Sequence, residues 1–179
     1  MANEHGMDGR IMRAVASDID EIERLYDALI DHLVRGTNHP HWRKGIYPVR
    51  QTAEDALADG HLFVMKIGEE IAGTTVLSHR PEEAYAQLQW GIEADYADVI
   101  VIHTLAVHPH WMKRGIAREL MIYAEQHARA GGMKAIRLDV VGDNAPAIAL
   151  YEGCGYTFRG LFDLGIPGLP LFRGYDLIL

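Results

Sequence analysis

A single cysteine, Cys154, stands in a chain of 179 residues. That excludes an intrachain disulfide and leaves no group of thiols to hold zinc or an iron–sulfur cluster. Such usage fits a reducing compartment, and a cytoplasmic location is the expectation. Positive charge is scarce as well: 17 Lys and Arg face 25 Asp and Glu, for a formal charge of −8. Without a basic footprint there is little to neutralise a phosphate backbone, so nucleic acid is not expected as a partner. Long-range steering favours a cationic ligand instead. No apolar run approaches the ~20 residues of a bilayer-spanning helix, which argues against a membrane partner. The polar start MANEHGMDGR lacks the apolar core and cleavage site of a signal peptide; it reads as a disordered tail over residues 1–9. His39 with His41, and His108 with His110, stand two apart without a supporting set of carboxylates or thiols. They read as loop histidines, and no metal is expected.

What is present suffices for one substantial core, since 49% of the residues are hydrophobic. One domain over residues 10–179 is the expectation. A short edge strand from Arg10 to Val15 leads to Ser17, which with Asp20 resembles a capping box. Ile19, Ile22, Leu25, Tyr26, Leu29 and Leu33 then recur at helical spacing until Gly36. Thr37 to Arg50 has no period and reads as a loop, after which Thr52 opens a short helix closed at Asp59 and Gly60. LFVMKI and IAGTTVLS flank the turn GEE as a hairpin. Ala86 to Trp90 is a possible strand extension. Val99 to Val107 is too apolar for a strand with one wet face and belongs in the middle of a sheet. A helix from Gly115 to Gly131, a strand Ala135 to Val141, a helix capped by Asp143 and Asn144, a strand Tyr156 to Arg159 and a last strand from Leu171 complete an α/β pattern.

The segment HTLAVHPHWMKRGIAREL carries the strongest chemical signal. A buried strand ends at His108 and Pro109, and a short loop reaches a helix that opens at Gly115. Unpaired amides and the positive end of a helix dipole then point at one place, which suits a pyrophosphate. Lys113 and Arg114 add charge there, although a capped helix with solvated basic residues is an equal reading from spacing alone. A P-loop would need Lys and Ser or Thr after its second glycine, but Ile116 and Ala117 follow Gly115. A dinucleotide fingerprint fails too, because no glycine precedes Gly115 in the turn after Val107.

At these residues the chain resembles the GCN5-related N-acetyltransferases. LAVHPHWMKRGIA is similar to the family's acetyl-CoA motif, in which Arg/Gln-x-x-Gly-x-Gly/Ala follows the strand; Gly115 and Ala117 match and Met112 departs. DNAPAIALYEGCGYTFRG resembles a second family segment through Asn144, Ala147, Tyr151, Gly155 and Tyr156. The resemblance implies a mixed, mostly antiparallel sheet of about six or seven strands with a splayed central strand and about four flanking helices. It implies acetyl-CoA as co-substrate: Leu105, Ala106 and Val107 along the pantetheine, residues 112–117 (Met112, Lys113, Arg114, Gly115, Ile116, Ala117) around the pyrophosphate, and Asn144 and Ala147 beside the arm. Tyr151 matches the tyrosine that protonates the departing thiolate.

The resemblance also implies direct attack by a primary amine, which needs a group to take the ammonium proton. Glu93, Asp95 and His103 are the candidates, each weighed against the plainer reading of a solvated carboxylate or a satisfied core histidine. Trp42, Tyr47, Trp90 and Trp111 either wall an acceptor pocket or pack the sheet. Cys154 reads as a small buried hydrophobe. The expected acceptor is a small-molecule amine or a peptide amine; the alternative function is a non-catalytic acyl-CoA sensor or subunit. A homodimer through the C-terminal strands is a further expectation.

Overall fold

The computed structural model describes residues 9–179. The expected tail therefore lies outside the described residues except for Gly9, which is the first residue of the first strand. Strands β1 (Gly9–Arg13), β2 (Leu62–Ile67), β3 (Glu70–Ser78), β4 (Val99–Val107), β5 (Ala135–Val141), β6 (Thr157–Phe162) and β7 (Phe172–Ile178) form one sheet. Their spatial order is β1-β2-β3-β4-β5-β7-β6. Every neighbouring pair is antiparallel except β4 with β5. Helices α1 (Ile19–Arg35), α2 (Arg50–Ala58), α3 (Ile116–Ala130) and α4 (Ala145–Gly153) cover the two faces.

Side chains of successive strand residues point to opposite faces, and the core divides accordingly. Val64, Val76 and Ala106 meet α1 and α2 through Ile22, Leu25, Tyr26, Leu29 and Ala53. Phe63, Leu77, Ile100, Ile102, Leu138 and Val140 meet α3 and α4 through Met121, Ala124 and Tyr151. Val99 and Val101 turn away from α3, onto Tyr85, Phe162 and Phe172. β4 is thus central and covered on both sides, as its unbroken apolar run predicts. Among the described residues, no helix is long and apolar enough to cross a membrane.

Two local expectations are corrected. Ser17 is not the cap of α1: a short 3-10 turn, Ala16–Asp18, precedes the helix, and the Asp18 carboxylate accepts from the Val15 amide at 2.9 Å. Asp18 also pairs with Lys66 at 2.6 Å, so a tertiary ion pair decides which acidic residue ties down the entry. Ala86 to Trp90 forms no strand; Glu83–Gln87 is a 3-10 turn. Tyr85 is buried there against Trp90 and Phe162, and packing of that ring outweighs the local β propensity.

Candidate functional site

β4 and β5 share only three rungs, Val99 with Ala135, Ile100 with Ile136 and Val101 with Arg137. Beyond Val101 the two strands diverge while each keeps its outer neighbour, β3 or β7. A bulge helps to turn β4: Thr104 and Leu105 together oppose Thr75 alone. Thr104 adopts a φ of 49°, an uncommon conformation for a β-branched residue. The inner ladder edges of Ile102 to Val107 and Leu138 to Val141 are left without a strand partner among the described residues. Unpaired backbone groups in the middle of a sheet demand water or a ligand.

A cavity of about 830 Å³ lies along this gap and is lined from both faces of the sheet. On the α3–α4 side it is lined by Leu105, Val107, Ala117, Asn144, Ala147, Leu150 and Tyr151, whereas Met112 lines it from the α1 side, packed against the α1–α2 core. On the other side it is lined by Leu29, Trp42, Tyr47, Glu82, His103 and Asp139, and by the β6–β7 loop through Leu164, Ile166 and Leu169.

The loop entering α3 supplies donors. Gly115 caps α3 in the left-handed region with φ 84°; the position at which a Cβ would stand has nothing within 4 Å. Lys113 is also left-handed, at φ 59°. The amides of Lys113, Arg114, Gly115, Ile116 and Ala117 have no acceptor among the described residues. These are the orphan donors of a helix start, at the positive end of its dipole. Lys113 and Arg114 are exposed and have no carboxylate partner among the described residues, and Arg114 lies over Trp111 at 5.1 Å. The Ile116 side chain does not face the cavity; it is buried at 1% exposure and anchors the helix on Leu120 and Ala72. Ala106 likewise points into the α1 core, leaving only its backbone for a ligand.

Asn144 caps α4, accepting from the Ala147 amide at 3.3 Å, and Pro146 sits in the first turn. One turn on, Tyr151 is buried with its ring against Tyr156 and Tyr175. Its hydroxyl has no hydrogen-bond partner among the described residues, although the residue lines the cavity. Burial pushes the phenol well above its ordinary value, so the group stays protonated.

The sequence-predicted bases separate. Glu93 is exposed on the segment before β4 and is absent from the cavity lining, and Asp95 instead caps the turn Tyr96–Asp98. His103 does line the cavity; its Nε2 lies 3.0 Å from the Arg80 carbonyl, and its Nδ1 is 3.8 Å from Glu82. The residue that sequence reasoning missed is Asp139. It faces away from α3 and α4, on the same side of the sheet as His103, and Tyr85 donates to its Oδ2 at 2.6 Å. Burial raises its carboxyl above the usual range, opposed by the Tyr85 hydrogen bond and by His103 and reinforced by Glu82. The sequence signal was an acidic residue flanked by Leu138 and Val140 in a mostly apolar strand, AIRLDVV.

The aromatic residues divide too. Trp42 and Tyr47 are edge to face, 5.9 Å apart, and the Tyr47 hydroxyl pairs with the Thr104 hydroxyl. Trp90 packs elsewhere, 4.7 Å from the Arg137 guanidinium. His41 in the same loop reaches Asp143 at 3.0 Å, tying the α1–α2 loop to the start of α4. Cys154 is half-buried, and burial pushes its thiol up. Among the described residues no group of three or more His, Cys, Asp or Glu is placed to hold a metal ion.

Comparison with known proteins agrees with this geometry. The model of the Acetyltransferase (GNAT) family matches residues 23–156. An uncharacterized N-acetyltransferase of Bacillus subtilis (strain 168) is 30% identical over 59% of this chain and 57% of its own. A mycothiol acetyltransferase of a Nocardioides species is 27% identical over 85% of this chain and 50% of its own. The chain thus spans about half the length of these curated relatives. A GNAT-family acetyltransferase structure from Streptococcus agalactiae superposes with a TM-score of 0.79 at 19% identity, covering 96% of this chain and 95% of that one. The acetyltransferase yncA of Salmonella typhimurium, solved with its cofactor acetyl-CoA, gives 0.66 at 18% identity over 96% and 94%. Family model, splayed sheet and amide-lined helix start agree: the chain belongs to the GNAT family of acetyltransferases.

Proposed function

We propose that this chain moves an acetyl group from acetyl-CoA to a primary amine by direct attack in a ternary complex. The observation that carries the reading is the position of two proton-handling groups on opposite sides of one gap. Tyr151 stands on the α3–α4 side and Asp139 on the other, and the same cavity reaches both.

The chain's own groups fit such a ligand. The free amides of 113–117 and the flanking Lys113 and Arg114 receive a pyrophosphate. Met112 in place of Arg or Gln removes one side-chain contact and leaves this backbone cradle intact. The unpaired ladder edge at Leu105, Ala106 and Val107 offers amides and carbonyls to the pantetheine arm, with Asn144 and Ala147 beside it. When bound, acetyl-CoA supplies the acyl group as an activated thioester. Asp139 accepts the proton of the incoming ammonium, Tyr85 orients that carboxylate, and Tyr151 donates a proton to the departing sulfur. Asp139 replaces Glu93 in this scheme, because an exposed carboxylate outside the cavity cannot reach the acceptor. His103 and Glu82 stand beside Asp139 and carry its proton on towards solvent.

Thermal unfolding with and without millimolar acetyl-CoA tests the reading, with adenosine diphosphate and NAD as controls. A ligand that binds only the native state stabilises it by about 2.7 kcal/mol at ~100 times its dissociation constant. A rise specific to acetyl-CoA, followed by amine-dependent release of free thiol, is the expected result. Binding without thiol release from any amine would favour a sensor.

A further inference from the structure

The cofactor reading uses one half of the cavity and leaves the other half unexplained. Leu29 and Trp42 wall the remaining half on one side, and Leu164, Ile166 and Leu169 of the β6–β7 loop wall it on the other. Its charged groups converge at one point: Glu82 and Asp139 are the carboxylates in the lining among the described residues, and both flank His103. The cationic group Arg43 lies in the exposed part of the lining.

From this arrangement we infer that the acceptor is a compact monoamine with an apolar, ring-sized body, its ammonium held at Asp139 and Glu82 and its body between Trp42 and the β6–β7 loop. The inference rests on the acetyl-transfer reading above and names its substrate class. A polyamine fits poorly, because its second ammonium would lie against apolar walls or near Arg43, at the cost of an unpaired desolvated charge. A peptide fits poorly as well. The pantetheine arm already shares the cavity of about 830 Å³, which leaves room for a compact acceptor rather than an extended chain running between Trp42 and the apolar β6–β7 loop. An aromatic or aliphatic amine meets neither obstacle: apolar surface is buried on apolar surface, and the one charge is paired.

Phenethylamine and n-hexylamine serve as probes, against spermidine and an alanine-initiated tripeptide. Two readouts are taken on the full chain: thermal shift of the coenzyme A complex on adding each amine, and thiol release from acetyl-CoA. The apolar monoamines are expected to add a further rise in melting temperature and to exceed the other two in kcat/KM by about tenfold or more. Ile166 is an exposed loop residue, so an Ile166→Asp variant is expected to fold. It should lower kcat/KM for phenethylamine about tenfold, narrow the gap to spermidine, and keep the shift with acetyl-CoA. If acetyl-CoA stabilises the protein but phenethylamine adds no shift, or spermidine or the tripeptide is preferred, the substrate class is wrong and the cofactor assignment survives. If acetyl-CoA gives no shift and no amine releases thiol, the acetyl-transfer reading falls and this inference falls with it.

Discussion

The two sides of the β4–β5 gap are built by different means. On the α3–α4 side the donors are backbone amides from one contiguous stretch, 113–117, and the ladder edge just before it. On the opposite side the chemistry is carried by side chains brought together from α1, the α1–α2 loop, the Glu82 to Tyr85 segment, β5 and the β6–β7 loop. A backbone cradle needs a particular chain path, which only certain residues at fixed spacing permit. A side-chain wall needs only the right chemistry at points scattered along the chain. A site of the first kind suits a ligand common to many proteins, and one of the second kind can change without disturbing it.

The sharpest way to break this contrast is to remove the Asp139 charge while keeping its shape. Asp139→Asn is expected to lower kcat roughly 100-fold or more, within the usual range for a lost general base, and to leave the acetyl-CoA thermal shift unchanged. A rate within threefold of the parent would make Asp139 only the acceptor that holds Tyr85. The same variant carries a stability signature. The folded carboxyl titrates above its unfolded value near ~3.9, because burial disfavours the charge. Its contribution to stability is therefore complete below that value and is lost as pH rises through the raised folded one. Asp139→Asn should accordingly gain melting temperature relative to the parent at pH 8 and little at pH 4. Equal differences at both pH values would mean that the buried charge is not strained. The rate of the parent enzyme should rise with pH over the same interval, as the carboxylate forms.

Tyr151→Phe comes next in size. A loss of about tenfold to 100-fold in kcat is expected, with acetyl-CoA affinity kept within a factor of about three. Loss of affinity without loss of rate would mark the tyrosine as a packing residue. The smallest effect belongs to the cradle itself. Gly115→Ala meets no steric obstacle, so its cost is the left-handed backbone alone, about 1 kcal/mol, read from the urea midpoint. If the loss is several times larger, the loop is under strain that the φ angle does not express.

Legibility in the sequence followed the same division. The order of strands and helices, the central position of Val99 to Val107, the helix start at Gly115 and the cap at Asn144 were readable because each depends on neighbours in the chain. So was the splay, although only through resemblance to a family, since no local pattern states where two parallel strands part. Asp139 was not readable. An aspartate between Leu138 and Val140 has the local signature of any outward-facing strand residue, and its importance comes from Tyr85, 54 positions away. Glu93 was a natural candidate by nearness to β4 in sequence, but its segment turns outward while the Tyr85 turn folds in. The cap of α1 was misassigned because Ser17 and Asp18 are adjacent, and it is Asp18 that accepts from the Val15 amide and pairs with the distant Lys66.

The brevity of the β4–β5 ladder also reaches beyond the site. Three rungs join the β1–β4 half of the sheet to the β5–β7 half, so ladder amides at the geometric centre of the sheet lack a strand partner. In a hydrogen-exchange experiment the inward-facing amides past Val101 should exchange quickly, although they lie deeper than slow-exchanging neighbours on the outer pairs. Addition of acetyl-CoA should slow them. The ligand would then act as a removable strand that completes the sheet, and occupancy of the site could be followed as a change in the mechanical continuity of the whole domain.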